Sequence, residues 1–147
     1  MPNAIACPAH LRRAFIDEPT PVALLPGEHL YKFVSIPILR DRVLQSPWWI
    51  RQNAFDDLLT RARRLQKPVS ELVRSQMAIT QQWNPGMDTL YIIVLAAPAD
   101  AWEGRARWQP VSLDDATVLF TGGGRQLAVP GLTWQQIAMQ YSGWPPI

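Results

Sequence analysis

The chain has 147 residues, of which 48% are hydrophobic and 18% are charged, and its formal net charge is +2. This length and composition indicate one globular domain with a sizeable core, and they exclude a largely disordered protein. The single cysteine, Cys7, excludes a disulfide framework within the chain. No stretch approaches the roughly 18 apolar residues of a membrane-spanning helix, so we expect no membrane partner. No basic segment followed by an apolar core begins the chain, so no classical signal peptide is predicted.

The first 27 residues differ in character from the rest of the chain. They contain five prolines and show no clear hydrophobic period. We interpret them as an N-terminal leader or a wrapping arm, with a short helix near residues 11–16. The second segment, residues 28–147, is predicted to be a single α+β domain.

The middle of the chain predicts one strand followed by helices. Residues 29–34 have the composition of a strand, and residues 38–44 are consistent with a short helix. Apolar residues at helical spacing predict a helix that Asn53 caps and that ends at Lys67-Pro68. A second helix is predicted from a cap at Ser70 to about Ile79. Basic residues cluster in these helices, which is typical of a solvated helix face but leaves nucleic acid open as a partner.

The last third predicts mostly strands. The continuous apolar run in residues 89–95 is typical of a strand buried on both faces. Further strands are predicted at residues 106–109, 117–120 and 126–129. Thr133 with Gln136 forms a capping-box pattern, which predicts a final helix to about Tyr141. Strand, helices and then strands indicate an α+β fold, with the helices together on one side of a mainly antiparallel sheet.

Common catalytic and metal motifs are missing from the sequence. It has no HExxH, CxxC, GxSxG, P-loop or GxGxxG pattern, and two histidines with one cysteine cannot supply an ordinary metal site. What stands out is a glycine triplet, Gly122 to Gly124, that leads into Gln126 and a short apolar strand. Glycine allows a positive φ and a close backbone approach, so this turn can hold Gln126 at the rim of a pocket, or it can be only a turn.

The glycine triplet is the last of a series of spaced motifs. The series consists of Leu30-Tyr31-Lys32-Phe33-Val34, Ser46-Pro47-Trp48-Trp49, Met77-Ala78-Ile79 with Trp83-Asn84, Tyr91–Leu95, Trp102-Glu103-Gly104-Arg105-Ala106 with Gln109, and Gly122-Gly123-Gly124-Arg125-Gln126. Over about residues 28–130 it resembles a family of C-terminal toxin domains of polymorphic secreted proteins, of the Rhs and filamentous-haemagglutinin types. The layout is also similar to the ADP-ribosyltransferase fold.

The resemblance implies a domain that binds NAD as substrate and cleaves its nicotinamide–ribose bond, by ADP-ribosyl transfer or by hydrolysis. It implies a cytoplasmic protein, or one delivered to a target cell by a non-classical route. The implied partners are a macromolecular ADP-ribose acceptor and a cognate immunity protein. In such a reaction the protein holds the pyrophosphate, stacks the nicotinamide ring and stabilises the positive charge that develops on the ribose.

The resemblance also implies which residues form the site. The catalytic candidates are Glu103, a carboxylate among tryptophans that would stabilise positive charge, and Gln126, in the place of a late-strand glutamate. The NAD-binding candidates are His29, Tyr31, Lys32, Ser46, Trp48, Trp49, Gly123 and Gly124. Several of these residues have a structural alternative. Lys32 can be an exposed lysine on an edge strand, and Trp48 with Trp49 can belong to the core. Glu103 can be a loop residue, and His29 can be a surface residue. Lys32 stands where the family typically has arginine, and a lysine lacks the two-pronged fork that grips phosphate.

Two other functions compete with this prediction. A non-catalytic binding module on the same scaffold, acting on a protein or on nucleic acid, fits Lys32 in place of arginine and the missing late glutamate. An immunity or antitoxin protein ranks last, because many such proteins are acidic and this sequence has a pI of about 9.0.

Overall fold

The structure is a computed structural model and describes residues 6–35 and 40–143. Its helices are α1 (Ala9–Arg12), α2 (Arg40–Gln45), α3 (Gln52–Leu65) and α4 (Val69–Gln76). Its strands are β1 (Thr20–Leu24), β2 (His29–Val34), β3 (Trp48–Arg51), β4 (Thr89–Leu95), β5 (Ala99–Arg105), β6 (Gln109–Ser112), β7 (Asp115–Phe120), β8 (Arg125–Ala128) and β9 (Ile137–Gly143). The predicted α+β class is confirmed.

Seven strands form one curled sheet in the order β1-β5-β8-β3-β2-β4-β9, and β6 with β7 forms a separate hairpin. Every neighbouring pair is antiparallel, as the sequence predicts. The predicted strands at residues 29–34, 89–95 and 117–120 are found as β2, β4 and β7. The strand predicted at residues 126–129 is β8, shifted by one residue.

Apolar side chains form clusters on both faces of the sheet. The helical cluster joins Tyr31, Phe33 and Ile50 to buried residues of α3 and α4. The opposite cluster joins Leu30, Trp49 and Leu127 to Val43 and Leu44 of α2. Neighbouring residues of a strand point to opposite faces, so these two clusters lie on opposite sides of β2 and β3. The sequence predicts all helices on one side of the sheet, and this prediction is wrong. Helix α2 buries its apolar residues against the other face.

The chain before Glu28 contributes to this sheet. Strand β1 pairs with β5: Thr20 lies opposite Glu103 at one end of the pairing, and Leu24 lies opposite Ala99 at the other. Phe15 forms an isolated bridge with Ala106. The short helix predicted near residues 11–16 lies earlier, as α1. The division into a leader or arm and a second segment stays a prediction.

The predicted final helix is wrong. The capping box of Thr133 and Gln136 is present, but it opens only a 3₁₀ turn at Trp134–Gln136. The chain then continues as β9, which pairs with β4 from Leu90–Gly143 to Leu95–Ile137. Without β9, the apolar strand β4 would leave its backbone N–H and C=O groups unpaired along one edge. This long-range requirement overrides the local helix signal.

The strand predicted at residues 106–109 is also misplaced. Strand β5 ends at Arg105, and β6 begins at Gln109. Ala106 and Arg107 lie in the connection, where Ala106 pairs with Phe15 rather than with a regular strand. The preceding segment, Ala99–Arg105, consists largely of alanine, glycine and charged residues, which have low strand propensity, and this is why β5 was missed as a strand.

The predicted helix caps are wrong as well. Strand β3 runs directly into α3, so Arg51 takes the N-cap position and Asn53 lies within the first turn. The Asn53 side chain accepts a hydrogen bond from the Ala54 backbone N–H at 2.8 Å. Helix α4 begins at Val69 after Pro68, which places Ser70 inside it, and the helix ends at Gln76 rather than near Ile79. The short helix predicted at residues 38–44 is found as α2; residues 36–39 lie outside the described residues.

None of the helices among the described residues is both long and apolar enough to cross a membrane.

Candidate functional site

A cavity of about 610 Å³ lies where strands β2 and β3 separate. The two strands pair at Leu30–Arg51 and Tyr31–Ile50. Around and beyond this pairing, residues 31–35 at β2 and residues 46 and 48–50 at β3 line the cavity. Its volume falls in the range of roughly 300–1,000 Å³ that is usual for pockets that bind small molecules.

The cavity wall is largely aromatic and aliphatic. Strand residues contribute Tyr31, Phe33, Trp48 and Trp49, and the end of α4 and its following loop contribute Val73, Met77, Ala78, Ile79 and Trp83. Trp83 is 57% exposed and stands at the rim. Flat apolar walls of this kind suit a planar ring system.

The charged groups of the wall are all basic. They are Lys32 of β2, Arg42 of α2 and Arg107 of the β5–β6 connection. Among the described residues, the wall contains no aspartate or glutamate, and neither Arg42 nor Arg107 forms an ion pair. An apolar cavity with unneutralised guanidinium groups favours a ligand that carries negative charge beside a flat ring.

Lys32 is the buried member of this basic set, with 8% of its surface exposed. Its ammonium Nζ donates to the backbone carbonyls of Val43 at 2.6 Å and Ser46 at 2.8 Å, and it lies 4.1 Å from the centre of a Trp49 ring. Burial lowers its pKa from 10.5 to about 7. Its two hydrogen bonds therefore hold the α2–β3 connection in place.

Gln126 enters the cavity wall from β8. It is buried, and its amide Nε2 donates to the Ala14 carbonyl at 3.0 Å. The preceding glycines hold this strand against α4: the backbone N–H groups of Gly122 and Gly124 donate to the carbonyls of Ser75 and Gln76 at 3.1 and 2.9 Å. A Cβ on Gly124 would stand 2.9 Å from the Gln76 Cβ, so this close approach requires glycine.

The structure brings together six of the ten predicted site residues. Tyr31, Lys32, Ser46, Trp48, Trp49 and Gln126 all line the cavity. Gly123 and Gly124 do not line it but belong to the turn that carries Gln126. His29 lies apart, in a small polar depression with Glu28, Arg51, Gln52, Asn53 and Asp56.

Glu103 also lies outside the cavity wall. On β5 it is opposite Leu127, whereas Gln126 is opposite the next residue, Gly104. Because neighbouring side chains alternate, Glu103 and Gln126 point to opposite faces of the sheet. Glu103 forms an ion pair with Arg51 at 3.6 Å, and Arg51 also donates to Glu28 at 2.8 Å. This carboxylate is thus engaged in a partly buried ion-pair network.

Sequence reasoning missed Arg42 and Arg107 as site residues. Arg107 directly follows the Trp102–Ala106 motif, which could have indicated it, whereas no local pattern distinguishes Arg42. Asn84 was noted in the motif series without a role. It donates to the Phe33 carbonyl at 2.9 Å and hydrogen-bonds to Ser35, while the Arg74 guanidinium donates to the Asn84 carbonyl at 2.6 Å. These bonds fix the rim that carries Trp83.

Two solved structures are similar to this chain. Tne2, solved in complex with Tni2, has a TM-score of 0.56 at 11% identity over 88% of this chain and 93% of that chain. Rhs1-CT, solved in complex with its cognate immunity protein RhsI1, has a TM-score of 0.58 at 14% identity over 90% of this chain and 86% of that chain. No protein-family model matches the chain, and no curated protein matches it significantly. At these identities the likeness shows that the chain shares the fold of both proteins.

Proposed function

We propose that this chain is a toxin-like domain that binds NAD in the cavity and cleaves its nicotinamide–ribose bond. The observation that carries the proposal is the cavity itself, in which aromatic walls, basic groups and a buried glutamine meet without a carboxylate among the described lining residues. NAD has flat rings, an anionic pyrophosphate and a ribose that becomes cationic as the bond breaks. The shared fold with Rhs1-CT, which was solved with a cognate immunity protein, supports the toxin class.

In the proposed complex, the exposed guanidinium groups of Arg42 and Arg107 bind the pyrophosphate at the cavity mouth, and the aromatic wall stacks the nicotinamide ring. The C–N bond then breaks so that nicotinamide leaves with the bonding electron pair, and an oxocarbenium-like ribose remains. Water or an acceptor nucleophile bonds to the ribose carbon and loses a proton. The side-chain carbonyl oxygen of Gln126 accepts a hydrogen bond from a ribose hydroxyl, and its dipole stabilises this cation.

The low pKa of Lys32 is compatible with this chemistry. A fixed ammonium would repel both the cationic nicotinamide ring and the ribose cation. Burial brings the pKa to about 7, so the amine is partly neutral at physiological pH. Its hydrogen bonds to the Val43 and Ser46 carbonyls need only two hydrogens, which the neutral amine retains.

The proposal extends to partners and location. The two similar proteins were each solved in a complex, one of them with a cognate immunity protein. We therefore propose that this chain also has a cognate protein that neutralises it. We also propose that the chain acts in a cytoplasm, where NAD is present, and that it reaches the target cell by a non-classical route.

The test measures nicotinamide release from NAD by the purified chain, with chromatography to detect the nicotinamide. Gln126→Ala should reduce the rate constant by about 100-fold, the typical effect of removing a preorganised polar group. The control is Glu103→Gln, which alters a partly buried carboxylate on the opposite face of the sheet and should retain release. Free ADP-ribose as product indicates hydrolysis, and label transferred from NAD to a macromolecule indicates ADP-ribosyl transfer.

Other outcomes overturn the proposal or part of it. Intact NAD together with no NAD binding by calorimetry would refute the NAD site. NAD binding without cleavage would indicate the non-catalytic binding module. Loss of release in Glu103→Gln but not in Gln126→Ala would place the chemistry at Glu103, as the sequence-based catalytic prediction for that residue requires.

A further inference from the structure

We propose that Ala14 and Phe15 are positioning residues that orient the Gln126 amide, so that its Nε2 is held by the Ala14 carbonyl and its Oε1 is left for the ligand. Ala14, Phe15 and Ile16 are called the arm segment below. This inference rests on the proposed function, because it explains how Gln126 is presented to the ribose.

The backbone of the arm segment is anchored to the β5–β6 connection. Ile16 donates its N–H to the Arg105 carbonyl at 3.0 Å, and the Arg107 N–H donates to the Ala14 carbonyl at 2.9 Å. The same Ala14 carbonyl accepts the Gln126 Nε2 at 3.0 Å. The acceptor that holds the glutamine is therefore itself held by the main chain. Both Ala14 and Gln126 line the cavity, so this contact forms part of its wall.

Phe15 locks the arm segment in place. Its ring is fully buried and packs edge-on against Trp48, with ring centres 5.7 Å apart and an angle of 63°. A Cβ on Gly104 would lie 2.9 Å from the Phe15 Cδ1, so the ring occupies the space that a side chain would fill. Gly104 is the residue opposite Gln126 in the β5–β8 pairing. The aromatic ring thus sits directly over the strand pair that carries the glutamine.

Orientation decides what the amide can do. An amide presents a donor group at one end and an acceptor at the other, and only the acceptor end stabilises positive charge on the ribose. Rotation of the amide would offer its N–H₂ group to the developing cation and oppose the reaction. A fixed acceptor for Nε2 prevents this rotation and removes the cost of ordering the side chain during catalysis. The Ala14 carbonyl, held in place by Phe15, therefore determines the polarity of the site at Gln126.

The first test compares Phe15→Leu and Gly104→Ala in the full chain. Phe15→Leu removes the ring, and the Cβ that Gly104→Ala adds would displace the ring because it would lie 2.9 Å from Cδ1. Both variants should lower kcat for nicotinamide release about 10-fold, with little change in KM for NAD, because one catalytic orientation is lost rather than substrate binding. Ile16→Ala is the control from the same segment, since the Ile16 side chain is 38% exposed, and it should match the wild type.

A double-mutant cycle separates positioning from general damage. In a Gln126→Ala background, Phe15→Leu should cause no further fall in kcat, because the group that it orients is gone. An equal fall in both backgrounds, or no fall in either, would overturn the proposal.

A second measurement does not depend on activity. Hydrogen exchange of the Gln126 side-chain amide, assigned in ¹⁵N spectra by its loss in Gln126→Ala, should be slow in the wild-type chain and at least 10-fold faster in Phe15→Leu and Gly104→Ala. Fast exchange in the wild type would refute the held amide even if NAD is cleaved. Slow exchange in a chain that leaves NAD intact would refute the proposed function and retain the positioning role.

Discussion

At the scale of single residues, burial lowers the pKa of Lys32, and the neighbouring residues in the sequence do not indicate this burial. The sequence predicts a phosphate contact or an exposed edge lysine. In the structure the side chain is enclosed, its ammonium donates to two backbone carbonyls, and burial lowers its pKa to about 7. Among the side chains that the structure describes around it, none is a carboxylate: Tyr91 is its partner on β4, Trp49 lies under Nζ, and Arg42 belongs to α2. In the proposed NAD complex, binding of the pyrophosphate is therefore assigned to the exposed arginines Arg42 and Arg107.

This burial predicts a characteristic pH dependence of stability. Between pH 7 and 10.5 the unfolded chain binds a proton at Lys32 that the folded chain does not, so stability rises with pH in that window; below pH 7 the cost of burying the charge is present in full. Relative to Lys32→Met, the free energy of unfolding of the wild type should rise by about 1.4 kcal/mol per pH unit between pH 8 and 10. Urea unfolding at several pH values measures the difference. A difference independent of pH would show that Lys32 has an ordinary pKa.

At the scale of elements, local signals identified those that depend on their own sequence. Strand β4 has a continuous apolar run, β2 has the composition of a strand, and the apolar residues of α3 repeat at helical spacing, so each was predicted close to its observed bounds. Strand β9 was predicted as a helix because Thr133 and Gln136 do form a capping box. Its true state depends on pairing with β4, some 45 residues earlier in the chain, which no local pattern encodes.

The glycine turn between β7 and β8 yields a prediction at this scale. Gly122 has a φ of +71°, and a Cβ there would stand 2.4 Å from the Ala106 carbonyl oxygen, whereas Gly123 has a φ of +89° and open space around it. Gly122→Ala should lower the free energy of unfolding by about 3 kcal/mol, from backbone strain and a clash. Gly123→Ala adds only the strain of a positive φ, about 1 kcal/mol. Denaturant unfolding of both variants measures this, and equal losses would contradict the role of the Gly122 contact.

At the scale of the whole molecule, one sheet separates two apolar clusters that share its strands. Phe55 of α3 stacks on Tyr31 at 4.4 Å on the helical side, while Leu127 of β8 is fully buried on the opposite side. The strands that carry these contacts are neighbours in the same hydrogen-bonded sheet, so neither cluster can be lost without exposing the other.

We therefore predict one cooperative unfolding transition. Phe55→Ala and Leu127→Ala should each lower the free energy of unfolding by about 3 kcal/mol and shift the same single transition, since each leaves a cavity in a packed core. Calorimetry checks this by comparing the calorimetric and van't Hoff enthalpies. Leu65→Ala, on the exposed end of α3, serves as control and should change stability by about 0.5 kcal/mol or less. Two separate transitions would mean that the clusters are independent units.

The sequence by itself determined the α+β class, the antiparallel character and the main helix, and it named six of the residues that line the cavity, because these follow from local periodicity and from an ordered series of motifs. Only the tertiary structure decided the rest: that α2 lies on the other face, that Glu103 points away from Gln126, that Arg42 and Arg107 reach the cavity, and that Phe15 fills the space over Gly104. The physical reason is that strand pairing sets which face each side chain takes, and the partners that set it are distant in the chain.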